Sequence, residues 1–272
     1  MLYFDCDYME GCCSEILKRL AEINMEKNRG YGTDRYCKSA EEKILKACGL
    51  SEGEVYFMTG GTQTNSTVIS ALLKNYEGVV AADSGHINTH EAGAIENSGH
   101  KVMTIKNKDG KIAGEDLENY LKNFFSDENN EHMVYPGMVY ISFPTEYGTL
   151  YSAGELSEIH NICIEYGIPL YVDGARLGYG IMAEENDVTL EYLAHNCDIF
   201  YIGGTKVGAM FGEAVVIPNK GSIPHFFTMI KQKGALLAKG WLLGVQFDTL
   251  FTDDLYFKIA ENAILRANEI KR

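Results

Sequence analysis

Short apolar runs of strand length alternate with stretches of helical period from Glu54 to Ile217, and that alternation leaves few folds open. The runs are Glu54–Met58, Gly78–Ala82, Lys101–Ile105, Met138–Phe143, Pro169–Val172, Asp198–Ile202 and Glu213–Ile217. Between them Val68, Ile69, Leu72 and Leu73 recur at helical spacing, and Glu115–Phe125 and Glu155–Tyr166 read as helices. The pattern predicts an α/β fold, with a mostly parallel central sheet covered by helices on both faces. The flanks read as helical. Glu15–Asn28 carries Ile16, Leu17, Leu20 and Ile23 with Ser14 as its N-cap, and Ser39–Cys48 ends on Gly49 as its C′ residue. Ile223–Lys231, Lys239–Phe251 and the stretch from Leu255 onward complete the helices, and Ser126–His132 reads as a polar loop.

Ligands of open α/β sheets sit beyond the carboxyl ends of the strands, so the residues that follow these runs carry the chemistry. Pro169–Val172 stops at Asp173, Gly174 turns the chain, and Arg176 follows. Asp198–Ile202 leads into Gly203, Gly204, Thr205 and Lys206. Alone, the acid would serve as a helix cap and the lysine as a solvated cation. Together, at two strand exits, they suit pyridoxal phosphate, whose enzymes use a lysine Schiff base and an acid or arginine at the ring nitrogen. Thr59-Gly-Gly-Thr-Gln-Thr-Asn65 turns from strand into helix, where exposed backbone amides and the helix dipole favour an anion. It matches neither GxGxxG nor a Walker A motif, so it reads as a monophosphate cup with Thr62 as a further donor, or as a tight turn with a threonine cap. His86 lies just past Gly78–Ala82, placed either to stack on an aromatic cofactor or to serve the structure; His90 and Glu91 complete no HExxH motif. Tyr31, between two glycines, points into a cleft or sits in an ordinary turn.

Composition narrows the partners. Lys+Arg number 24 against Asp+Glu 38, a formal charge of −14, which disfavours nucleic acid and anionic membrane surfaces. The seven cysteines form no CxxC pair or Cys/His metal spacing, so no metal site is expected and a reducing cytoplasm fits. No apolar run is long enough to span a bilayer, and the first residues have no basic, signal-like character.

Read in order, YGTD at Tyr31–Asp34, GGTQTN at Gly60–Asn65, HINTHEAG at His86–Gly93, DGARLGYG at Asp173–Gly180 and GGTK at Gly203–Lys206 resemble the low-specificity L-threonine aldolases. These belong to the β-eliminating lyase group, pyridoxal-phosphate enzymes of the aspartate aminotransferase fold. The resemblance implies a lyase that splits L-threonine or L-allo-threonine to glycine and an aldehyde through a Schiff base on Lys206. It places Asp173 at the pyridinium nitrogen and His86 on the ring face. Gly61 and Thr62 would hold the phosphate, and Arg176 would lie near the phenolic oxygen and the substrate carboxylate. Tyr31 would line the site of the neighbouring subunit in a homodimer or homotetramer. It also divides the chain into an N-terminal helical arm (1–30), a cofactor-binding large domain (31–252) and the start of a C-terminal helix or incomplete small domain (253–272).

Three departures stand out. Thr145-Glu146 replaces the Thr-His pair of many relatives, which makes Glu146 a replacement base or a cap of the loop before Gly148. Cys6-Asp7-Tyr8 replaces Ser-Asp-Asn, removing a hydroxyl expected near the substrate carboxylate. Relatives continue past the point corresponding to Arg272 into a small domain with a second carboxylate-binding arginine. The alternatives are therefore a β-eliminating lyase or racemase using the same cofactor, and a cofactor-binding remnant with little activity. A nicotinamide dehydrogenase is more distant, because it leaves Lys206 without a role.

Overall fold

The computed structural model describes residues 3–271. Helices α1 (Ser14–Ile23) and α2 (Arg35–Ala47) lead into strand β1 (Glu54–Met58). Then come α3 (Gly61–Leu72), β2 (Glu77–Ala82), the one-turn helices α4 (His86–Thr89) and α5 (Ala94–Asn97), and β3 (Val102–Ile105). The next elements are α6 (Gly114–Ser126), β4 (Tyr135–Ser142), α7 (Ala153–Tyr166), β5 (Leu170–Asp173), α8 (Leu177–Ile181) and α9 (Leu190–His195). Strands β6 (Ile199–Gly203) and β7 (Glu213–Ile217) precede α10 (Phe226–Gln232), α11 (Trp241–Leu250) and α12 (Leu255–Lys271).

The strands form one sheet in the order β1-β7-β6-β5-β4-β2-β3. Neighbours from β6 to β3 pair in parallel, and β7 runs antiparallel between β6 and β1. All residues of β5, β6 and β7 are buried, as strands covered on both faces must be. Side chains alternate between the faces with a period of two. Val139, Ile141, Val172, Phe200 and Ile202 pack in the core that includes Leu156 and Ile159 of α7. Met138, Tyr140, Tyr171, Ile199 and Tyr201 pack in the opposite core, with Val68 and Ile69 of α3. Val68 and Ile69 are fully buried, each contributing about 1.5–3 kcal/mol, and this seats α3 against the sheet. Among the described residues no helix is long and apolar enough to cross a membrane.

Several boundaries differ from the sequence reading for physical reasons. Ser14 is not the cap of α1: Cys13 is, without a side-chain bond, and the Ser14 hydroxyl donates to Glu15 instead. The helix also stops at Ile23, because Glu26 is drawn toward Arg35 and the Tyr36 hydroxyl, which donates to it at 2.6 Å. Helix α2 begins at Arg35, since Asp34 accepts from the amides of Tyr36 and Cys37. Strand β4 begins three residues earlier than the apolar run, and the register shift at Gly78/Val79 accommodates Pro136 and Gly137. Part of the polar stretch 126–132 is a 3₁₀ turn, Asn130–His132.

Candidate active site

At one edge of the sheet the parallel strands deliver their carboxyl ends, and the loops beyond them enclose a cavity of about 380 Å³. Strand β1 brings Gly61 and Thr62, β2 brings His86, β4 brings Glu146, β5 brings Asp173 and Arg176, and β6 brings Lys206; all line this one cavity. Close backbone approach makes the β5 and β6 exits fit together. A Cβ at Gly174 would fall 2.0 Å from the Tyr201 carbonyl oxygen, so that turn has no room for a side chain.

Asp173 is buried and receives four hydrogen bonds. Its Oδ2 accepts from Asn65 Nδ2 at 2.9 Å and from the Tyr140 hydroxyl at 2.6 Å. Its Oδ1 accepts from the Tyr201 hydroxyl at 2.5 Å and from the Ala175 amide at 3.0 Å. That donor set suits a carboxylate, which is acceptor only. Asn65 is itself fixed, accepting from the Tyr171 hydroxyl at 2.7 Å and donating to Glu91 Oε1 at 2.7 Å. Tyr140, Tyr171 and Tyr201 sit on three adjacent strands of the α3-facing side, and burial pushes each phenol well above its ordinary pKa, with the Asp173 charge adding to it. They are donors that stay protonated. The sequence reading missed them, although a tyrosine two residues before Asp173 and another two before Gly203 are its visible trace.

His86 opens α4 with Nδ1 2.8 Å from Glu91 Oε1. The hydrogen bond to Glu91 raises the imidazole pKa, against burial and with help from the charge of Asp173. Glu146 lines the cavity but has one oxygen engaged: Oε1 accepts from the His86 amide at 2.9 Å and the Ser142 hydroxyl at 2.6 Å. It thus ties β4's exit to the His86 turn rather than capping its own loop.

Gly60 is extended and α3 starts at Gly61, so the first amides of the helix have no acceptor within it. A Cβ at Gly61 would lie 3.2 Å from the Tyr201 hydroxyl, which keeps this cradle small. The exposed Thr62 side chain stands at the same helix start.

Lys206 sits in a turn fastened from several sides. The Tyr179 hydroxyl donates to its carbonyl oxygen, and the Tyr256 hydroxyl of α12 accepts from the Gly178 amide at 3.0 Å and donates to the Gly203 carbonyl at 3.1 Å. Glu213 accepts from the Thr205 hydroxyl at 2.8 Å and from the Gly204 amide at 3.2 Å. This acid also lines the cavity and escaped the sequence reading. It starts the antiparallel strand β7, so it meets the edge where the parallel strands end. Burial pushes its carboxyl up to about 8, the negative charge of Asp173 adding to this and the bond from Thr205 opposing it.

Arg176 is paired with Asp7, Nε to Oδ2 at 2.5 Å and Nη2 to Oδ1 at 3.2 Å. Burial pushes the Asp7 carboxyl up, but Arg176 outweighs it and holds the group below the usual carboxylate range. Tyr8 lies beside it, with Lys206 Nζ 6.0 Å from its ring centroid. The Cys6-Asp7-Tyr8 stretch therefore meets the cavity through Tyr8, which lines it, while Asp7 is held by the cavity-lining Arg176. Tyr31 is the one expected site residue that the chain does not bring here. It is partly exposed, with φ +60°, Lys231 Nζ 4.2 Å from its ring centroid, and it lines a separate cavity of about 530 Å³.

The residues fit pyridoxal phosphate. Free amides stand at the start of α3 for the phosphate, an acceptor-only carboxylate for the ring nitrogen, an imidazole for the ring face and a lysine for the covalent bond, all on one cavity. The comparisons with known proteins make the chain a pyridoxal-phosphate-dependent lyase. The β-eliminating lyase family model matches residues 4–250, and the chain belongs to that family. A low specificity L-threonine aldolase from Pseudomonas sp. is 30% identical, over 96% of this chain and 74% of that protein. The structure of a Leishmania major threonine aldolase superposes with a TM-score of 0.93 at 44% identity, over 97% of this chain and 76% of that one. Thermus thermophilus aspartate aminotransferase shares the fold, with a TM-score of 0.74 at 13% identity, over 95% of this chain and 71% of that one.

Proposed function

We propose that the protein cleaves β-hydroxy amino acids, L-threonine or L-allo-threonine first among them, to glycine and an aldehyde. The observation that carries this is the meeting of Lys206, Asp173 and the start of α3 on one cavity, in a chain whose relatives are named threonine aldolases. When bound, pyridoxal phosphate supplies the sink for the electron pair left on the α-carbon as Cα–Cβ breaks. The chain's own residues do the rest. The amides of Gly61 and Thr62, with the Thr62 hydroxyl, hold the phosphate. His86 covers the ring face, its plane fixed by Glu91. Asp173 is the charge partner of the ring nitrogen, and its four protein donors keep it in place. Lys206 is the covalent anchor, and the Thr205–Glu213 bond shapes its turn. Arg176 binds the substrate carboxylate, which takes over the guanidinium from Asp7. A bidentate arginine–carboxylate pair gives both strength and orientation.

The functional unit is a homodimer or a larger homo-oligomer in which Tyr31 serves the neighbouring site. Seven free cysteines fit a reducing cytoplasm. The test is to load the purified protein with cofactor, offer single amino acids and identify the products. Glycine and acetaldehyde from threonine support the assignment. Ammonia and an oxo acid from serine or cysteine, with threonine untouched, would assign β-elimination instead.

A further inference from the structure

The cavity holds a second imidazole that these roles leave unused. His90 follows α4 as its C-cap and lines the cavity beside His86, the two ring centroids 5.7 Å apart. Among the described residues nothing hydrogen-bonds its exposed ring. Several other acid–base groups of the cavity already have an atom engaged by the protein. His86 Nδ1 is bonded to Glu91, and Asp173 is surrounded by its four donors, the Tyr201 phenol among them. Glu213 is buried and bonded to Gly204 and Thr205, Arg176 is paired with Asp7, and the Tyr8 ring centroid lies 6.0 Å from Lys206 Nζ. Glu146 spends Oε1 on Ser142 and on the His86 amide, and the His86 carbonyl in turn accepts the His90 amide at 2.9 Å. The carboxylate thus acts on the backbone turn that carries the imidazole.

We infer that His90 is a catalytic residue that receives the β-hydroxyl proton of the substrate, and that Glu146 is a positioning residue that fixes the turn holding it. The inference rests on the aldol-cleavage assignment above. In the step, the hydroxyl proton passes to a ring nitrogen of His90 and the O–H pair becomes the second C–O bond of the aldehyde. The Cα–Cβ bond breaks with its pair left on Cα. A proton later returned to Cα gives glycine, so no oxidant or reductant enters. Imidazole is the side chain that most readily exchanges a proton near neutrality.

The experiment compares the cofactor-loaded parent with His90→Gln and Glu146→Gln, reading kcat for L-threonine against pH, cofactor affinity, and the absorbance change on adding glycine. Glycine has no β-hydroxyl and should not need His90. His90→Gln should lower kcat by about 10²-fold or more, the share a positioned acid–base group supplies, and should remove the acid limb of the pH profile. Its cofactor affinity and glycine response should match the parent's. Glu146→Gln should lose less rate and keep the limb. If His90→Gln retains the parental rate and profile, or the limb disappears with Glu146→Gln instead, the inference is overturned while the aldolase assignment stands. A loaded parent that cleaves no β-hydroxy amino acid overturns both.

Discussion

Glu213 shows how a single side chain reports on the whole site. It is an acid held in the cavity wall with 4% of its surface exposed, near both Asp173 and Lys206. Burial is the largest influence on it and favours the neutral form, which lifts its folded-state pKa to about 8. The folded protein therefore binds a proton that the unfolded chain has released. Its contribution to stability is fully present below the ordinary carboxylate range and is lost as pH rises through about 8. The loss is on the order of a few kcal/mol for a group this buried. Urea unfolding of the parent should show a midpoint falling across that window, and Glu213→Gln should flatten the fall. Equal slopes in the two proteins would mean that the acid is ionised in the folded state. Nothing in the sequence marks Glu213, because a glutamate at a strand start is ordinary. Only the antiparallel direction of β7 carries it to the site.

The proposed phosphate cup belongs to α3 as an element. Its place depends on Val68 and Ile69 pinning the helix to the sheet, and its chemistry on the amides at Gly61 and Thr62. Thr62→Val removes the hydroxyl at similar bulk and should weaken cofactor binding by about 1–3 kcal/mol, as for a hydrogen bond to a charged group. A fluorescence titration of the cofactor-free protein checks this, and unchanged affinity would reduce Thr62 to a turn residue. This element was legible in the sequence, because a strand run, two glycines and a helical period follow one another without a break. Helices α4, α5, α8 and α9 were not. Each has six residues or fewer, too few turns for a hydrophobic period to show. Helix α2 started earlier than its apolar pattern because the Asp34 cap, rather than a packed side chain, sets its first turn. Pro136 and Gly137 likewise hid the start of β4, since both residues argue against a strand until the bulge absorbs them.

Across the molecule, the sheet order places β1, β7, β6, β5, β4 and β2 side by side, so residues more than a hundred positions apart share one edge. That edge was readable from the strand exits, and Gly61, Thr62, His86, Glu146, Asp173, Arg176 and Lys206 line one cavity there. The tyrosine and asparagine network behind Asp173 was not readable, because strand tyrosines look like any core residue until the register aligns their hydroxyls. Tyr31 lies away from the cavity of its own chain, and its proposed place is the site of a neighbouring subunit. Lys206→Ala and Tyr31→Ala proteins, each inactive alone, should regain part of the activity when refolded together, since a mixed dimer has one site with both residues intact. No recovery in a preparation shown to contain mixed dimers would confine Tyr31 to its own chain. The most direct test of the account is chemical. Borohydride reduction of the cofactor-loaded protein, followed by peptide mapping, should place the fixed pyridoxyl group on Lys206; a label on Lys220, Lys231 or any other lysine would contradict it.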